Sequence, residues 1–159
     1  MKSTHAALAA AALLFAASGW AQHGDHRMVS PGDLKWNDVP SLPPGAKIAV
    51  IEGPMSEPVP FTVRLKFPAN YQIPAHWHPA VERVTVLTGT IHMGIGDQLD
   101  KQKTTPLSAG SIGIMQPKTN HFVWTQEEVI VQLNGMGPWG VTYVNPADDP
   151  RKNEPLLTP

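Results

Sequence analysis

The chain has 159 residues, enough for one domain with a real core, and its 12 basic and 13 acidic side chains give a formal charge of −1. That balance holds no basic patch for nucleic acid and no Lys/Arg cluster for an anionic membrane surface. The sequence has no cysteine, which removes disulfides and every thiolate metal site. Stability has to come from a packed core, and any metal has to be held by His, Asp or Glu.

In chain order, Lys2 is followed by an apolar Ala/Leu-rich run from Ala6 to Ala17 and by small residues at Gly19 and Ala21. This is the order of a secretory signal peptide, with cleavage expected after Ala21, so the protein reads as exported, periplasmic or secreted. The apolar run is too short to span a bilayer comfortably, and no membrane association is expected once residues 1–21 are removed. Loss of Lys2 makes the chain slightly more acidic.

Residues 22–45 are polar and turn-rich. They read as an N-terminal arm, with Leu34 and Trp36 pinning part of it to the main body. His23 and His26 flank Asp25, but mobile termini rarely hold ligands in fixed geometry, and a flexible polar start is the expectation.

The main body spans 46–145. Prolines and glycines, 17 and 13 across the whole chain, are frequent, and the apolar runs between them are short and rich in Val, Ile and Thr, an all-β signature. Strands are expected at Lys47–Glu52, Pro60–Phe67, Tyr71–His76, Val81–Leu87, Thr90–Ile95, Ser111–Gln116, His121–Thr125, Glu128–Asn134 and Val141–Val144. Thr88-Gly89 reads as a tight turn, and Gly96 to Thr105 as a polar loop. Nine short strands in one unit need their edges paired or covered, and a double-sheet jelly roll does this. Residues 146–159 carry charges and prolines without a period and read as an extended or disordered tail.

The chemistry concentrates in Pro74-Ala75-His76-Trp77-His78-Pro79-Ala80-Val81-Glu82. Residues two apart in a strand share a face, so His76 and His78 project side by side. Pro79 turns the chain, and Glu82 enters the next strand on the same parity. Two imidazoles and a carboxylate converging suit a divalent first-row metal. His121, which begins a distant strand after a turn, offers a fourth ligand. A His-x-His pair alone is more often a solvated strand edge; Glu82 and His121 together favour the metal.

The spacing resembles the cupin family. The first cupin motif, Gly-x5-His-x-His-x3/4-Glu-x6-Gly, is met by His76, His78, Glu82 and Gly89, with Asn70 in place of the leading Gly. Asn is the next most tolerant residue for a left-handed turn. The second motif, Gly-x5-Pro-x-Gly-x2-His-x3-Asn, keeps Gly110 and His121. It carries Gln116, Lys118 and Thr125 at its Pro, Gly and Asn positions, with Pro117 one place late. The segments Arg64–Ala69 and Gly137–Gly140 are similar to those of small exported bacterial cupins. The resemblance implies a double-stranded β-helix, a jelly-roll barrel with one divalent transition metal held by His76, His78, Glu82 and His121. Fe, Mn, Ni, Cu and Zn all suit that donor set.

The fold alone does not choose an activity. A metalloenzyme acting on a small organic molecule is the leading reading, with dioxygenase-like chemistry on an organic acid or phenolic ahead of isomerase or lyase chemistry. The alternative is a non-catalytic module that binds a small ligand or keeps a structural metal. An open cavity with polar groups beside the metal favours catalysis. Gln132 and Asn134, on one face of an alternating strand, are expected to face that cavity as substrate-binding groups while Val129, Val131 and Leu133 pack elsewhere. His92 is expected on the solvent face. Trp77, Trp124, Trp139 and Tyr143 read as core or rim packing, one of them a candidate aromatic wall. Nothing resembles a phosphate loop or a nucleophile motif. The oligomeric state stays open, although small cupins often form homodimers through sheet packing.

Overall fold

A computed structural model describes residues 26–152. The leader, its cleavage point, His23 and the end of the tail lie outside the described residues. Eleven strands form among them: β1 (Asn37–Asp38), β2 (Lys47–Glu52), β3 (Pro60–Phe67), β4 (Gln72–Trp77), β5 (Glu82–Thr88), β6 (Thr90–Ile95), β7 (Thr105–Ser108), β8 (Ile112–Met115), β9 (His121–Thr125), β10 (Val129–Met136) and β11 (Thr142–Tyr143). They make a six-stranded sheet in the order β1-β2-β3-β10-β5-β8 and a five-stranded sheet in the order β11-β4-β9-β6-β7. Every pairing is antiparallel. This is the expected jelly roll. No helix among the described residues is long and apolar enough to cross a membrane.

The core is the space between the sheets. Alternation makes it: in β3, Phe61, Val63, Leu65 and Phe67 are buried while the residues between them are partly exposed. Val84, Val86, Val131 and Leu133 join from the same sheet, and Ile73, Ile91, Met93 and Val123 from the other.

Three expectations need correcting. The arm is not merely draped on the barrel, because Asn37 and Asp38 pair with Ile48 and Lys47 and so extend the sheet. Trp36 does help pin it, lying 4.8 Å beneath the Lys66 ammonium. The polar loop ends in a strand, since Thr105–Ser108 pairs with β6; its Pro106 and polar residues hide an edge strand from sequence patterning. The start of the tail is ordered into two 3-10 turns, Pro146–Asp148 and Pro150–Lys152. Arg151 holds it there, donating from Nη2 to the Val141 carbonyl at 3.0 Å and pairing with Asp149 at 2.7 Å.

The motif turns keep their backbone geometry where their residues have changed. Asn70 and Lys118, which stand at glycine positions of the two cupin motifs, have φ of 58° and 60°, as left-handed as Gly89 and Gly110 at 70° and 89°. A lysine there costs about 1–2 kcal/mol in local sterics. Neighbouring bonds hold it: Lys118 N–H donates to the His78 carbonyl at 2.9 Å. Thr125, at the Asn position of the second motif, braces the first. Its hydroxyl donates to the Pro68 carbonyl at 2.8 Å and accepts from the Tyr71 N–H at 3.2 Å, closing the turn around Asn70.

Candidate metal centre

His76, His78, Glu82 and His121 come from three strand ends, and all four side chains are buried. Strand alternation by itself would not put His76 on the inner face, because Ile73, three residues earlier, already points inward and lines the cavity. A register shift between Ile73 and His76 resolves this. The shift spans Pro74 and Ala75, and Ala75 and His76 are buried in succession. His76 then pairs across the sheet with His121. Pro79 and Ala80 bend the chain, and β5 opens with Glu82 facing the same point.

Each imidazole is tethered through Nδ1 to a backbone carbonyl. His76 Nδ1 lies 2.7 Å from the Pro74 carbonyl, His78 Nδ1 2.8 Å from that of Gly140, and His121 Nδ1 2.8 Å from that of Thr119. A carbonyl only accepts, so Nδ1 carries the proton in each ring and a neutral ring presents the Nε2 lone pair. One ligand atom from each of the three histidines lies within 4.8 Å of the others. Glu82 sits among them, Oε1 3.4 Å from His78 Nε2 and Oε2 3.3 Å from His121 Nε2.

This arrangement is short of protons. His78 Nε2 and Glu82 Oε2 are buried without a hydrogen-bond partner. Burial, reinforced by His121 and His78, holds the His76 pKa well below 6.5. Burial also lowers that of His78, against the pull of Glu82. At His121 burial acts downward, but the Glu82 carboxylate 3.3 Å away outweighs it and the net shift is upward. A neutral His121 and Glu82 would meet acceptor to acceptor. Either a proton on His121 or a cation among the four groups satisfies them, and a cation also satisfies His78. The donor set therefore fits a divalent metal, with the carbonyl tethers in the role that outer partners of metal-bound imidazoles usually play.

A cavity of about 240 Å³ opens beside the cluster. The four candidate ligands form part of its wall, and the rest includes residues of both sheets, Asp38 to Leu42 of the arm, Met55 and Trp139. Trp139 stacks on His78 with ring centroids 4.0 Å apart and planes 16° from parallel. It is thus both the aromatic wall and a support for the ring.

Gln132 and Asn134 are not part of this cavity, and the expectation of substrate contacts from them is corrected. They lie on the outer face of the six-stranded sheet in a polar ladder: Arg64 Nε donates to Gln132 Oε1 at 3.2 Å, Gln132 Nε2 to Asn134 Oδ1 at 3.3 Å, and Asn134 Nδ2 to Thr62 Oγ1 at 2.9 Å. Val131 and Leu133 face the cavity in their place. β10 lies between β3 and β5, so its apolar face completes a wall those neighbours have already begun. His92 lies outside the cavity, stacked on Trp124 at 3.9 Å. His26 is exposed and is not among the residues that line the cavity.

Sequence reasoning missed the Gly140 carbonyl, the Thr125 brace and the arm's share of the cavity. Only Trp139 left a signal, as an aromatic in a Gly-Pro-Trp-Gly turn.

No protein-family model matches the sequence, and no curated protein matches it. Solved structures do match in shape. The polyketide cyclase RemF from Streptomyces resistomycificus superposes with a TM-score of 0.66 at 17% identity, over 80% of this chain and 92% of its own. A candidate acetylacetone dioxygenase from Methylibium petroleiphilum gives 0.60 at 17% identity, over 79% and 85%. An RmlC-like cupin from Shewanella frigidimarina gives 0.56 at 15% identity, over 70% and 91%. The chain has the cupin fold, a small double-stranded β-helix with a histidine–glutamate cluster facing its cavity.

Proposed function

We propose that the protein is a metalloenzyme in which Nε2 of His76, His78 and His121 and the carboxylate of Glu82 hold one divalent first-row metal, and that it acts on a small organic molecule by dioxygenase-like chemistry. One observation carries the reading: three tethered imidazoles and a buried carboxylate with one oxygen lacking a hydrogen bond line one end of a cavity large enough for a ligand. A purely structural metal is closed off by its ligands and needs no cavity beside it. Four protein ligands leave up to two positions on an octahedral ion. A metal bound there supplies Lewis acidity or redox chemistry.

The chain's own groups do the rest. The carbonyls of Pro74, Gly140 and Thr119 fix ring orientation. Trp139 backs His78. The apolar walls exclude water and orient the substrate toward the cluster. Glu82, with one oxygen lacking a hydrogen-bond partner, is the carboxylate placed to accept a proton from a bound substrate. Among solved structures of this fold, a cyclase and a candidate dioxygenase show that it hosts reactions on small organic molecules.

The test is metal analysis of protein purified without added metal, followed by thermal melts with and without chelator and a substrate screen under air and under nitrogen. Near-stoichiometric metal, a melting temperature lowered by chelator and turnover dependent on oxygen are expected. A protein that takes up no metal under any supply, with an unchanged melting curve, would refute the reading.

We propose further that the protein is exported and loses residues 1–21, on the order of Lys2, the Ala6–Ala17 run and Ala21. Mass spectrometry of the periplasmic or secreted fraction is expected to find Gln22 as the first residue, and soluble material with an intact start would overturn this.

A further inference from the structure

The cavity is polar at its metal end and nearly apolar elsewhere. Val63, Leu65, Val131 and Leu133 wall it from one sheet, and Met93 and Val123 from the other. Apart from the four candidate ligands, its polar side chains are Asp38 and Ser41 of the arm and the indole of Trp139. No lysine or arginine is among its lining residues. Asp38 is itself paired, its Oδ1 lying 2.7 Å from the half-buried Lys47 ammonium. The arm is a fixed wall: Tyr143 Oη donates to the Ser41 carbonyl at 2.9 Å and Tyr71 Oη to that of Pro43.

Charge and size then select the ligand. A divalent ion with the Glu82 carboxylate leaves one net positive charge, which a single ionised oxygen ligand neutralises. A second anionic group would lie against apolar walls without a cation, and the other carboxylate on the lining, Asp38, has the same sign. A ring of hydroxyls would be equally short of partners. An apolar cavity of about 150 Å³ is known to hold benzene, so about 240 Å³ holds on the order of ten non-hydrogen atoms.

We infer that the site takes a small apolar molecule ending in a bidentate oxygen chelator that carries at most one negative charge, such as an enol, a β-dicarbonyl or a phenol with an adjacent oxygen, and that it rejects sugars and dianionic acids. This rests on the metal reading of the cluster.

The experiment uses the full chain loaded with Co(II) and two probes. Tropolone chelates through two oxygens with one negative charge and an apolar ring; malonate chelates through two oxygens with two negative charges. Binding is read by calorimetry and by the visible cobalt spectrum, and each affinity is divided by the probe's affinity for aqueous Co(II). Tropolone is expected to exceed malonate by about tenfold or more on that scale. Ile48→Lys, which sets an ammonium group on the half-buried wall, is expected to raise malonate affinity by about threefold. Equal or reversed preference, no binding of either probe to loaded protein, or no malonate gain in folded and loaded Ile48→Lys overturns the substrate class. Failure to take up Co(II) at all overturns the metal reading, and the substrate class with it.

Discussion

On the inner face of β9, His121 and Val123 reach the cavity and Thr125 braces the Asn70 turn. On the outer face of the same strand, Phe122 and Trp124 lie under the segment that leads into β7. Phe122 is 1% exposed and packs so closely on Gly94 that a Cβ there would meet its ring at 2.3 Å. Trp124 stacks on His92, donates from Nε1 to Thr104 Oγ1 at 3.3 Å and lies 4.9 Å beneath the Lys101 ammonium. Both faces are covered, for different reasons. The outer face spends its burial on holding the strand still. The inner face keeps buried polar groups that would destabilise the fold unless something satisfies them. A ligand atom is positioned well when the strand carrying it is locked from behind, and here the lock is on the face that does no chemistry.

Substitutions on the two faces should therefore fail in different ways. Phe122→Ala is expected to cost about 3–5 kcal/mol of stability, as large aromatic truncations do, while the folded fraction still takes up metal. Denaturant melts with metal analysis check this, and loss of metal from folded protein would mean the two faces are not separable. His121→Ala is expected to do the reverse. Metal is lost, and the stabilisation the parent gains from it, about 2.7 kcal/mol at one hundred times the dissociation constant, disappears from melts with and without chelator.

Acid should sharpen the contrast. With chelator present, His76 and His78 stay neutral in the fold because burial, first of all, holds both below 6.5. The unfolded chain protonates them near 6.5, so the stability they contribute is present above that pH and is lost as pH falls toward their folded values. His121 is shifted upward, so its contribution is present below 6.5 and is lost as pH rises through its folded value. Two groups oppose one, and the shift of His76 is the large one. The melting temperature in chelator is expected to fall on acidification below pH 6.5. A rise would show that the His121–Glu82 pair dominates. The smallest effect belongs to His92→Ala on the outer face. Losing its stack on Trp124 is expected to cost no more than about 1.5 kcal/mol and to leave metal content unchanged, measured on the same samples.

Much of the site is legible in the sequence because its geometry is local. His76, His78 and Glu82 lie within seven residues of one another, and a strand, a turn at Pro79 and a second strand nearly suffice to aim them. Eight of the nine expected strands match within one residue at each end, and four coincide with the observed bounds. Asn70 reads as a left-handed turn from its residue type, and its φ of 58° agrees.

Tertiary structure decided the rest. Whether Gln132 and Asn134 or Val131 and Leu133 face the cavity is undetermined by alternation, which fits both assignments equally. Packing between β3 and β5 chose the apolar face. The register shift between Ile73 and His76 that turns His76 inward, the Gly140 carbonyl that orients His78 from 62 residues away and the Thr125 hydroxyl that closes the Asn70 turn all depend on segments distant in the chain. The sequence by itself determined which residues could bind a metal, because ligand chemistry and strand spacing are written locally. Only the folded barrel decided what surrounds them, because the cavity wall is made of faces contributed by strands far apart in the chain, and no periodicity within one strand reveals which of its faces the others will cover.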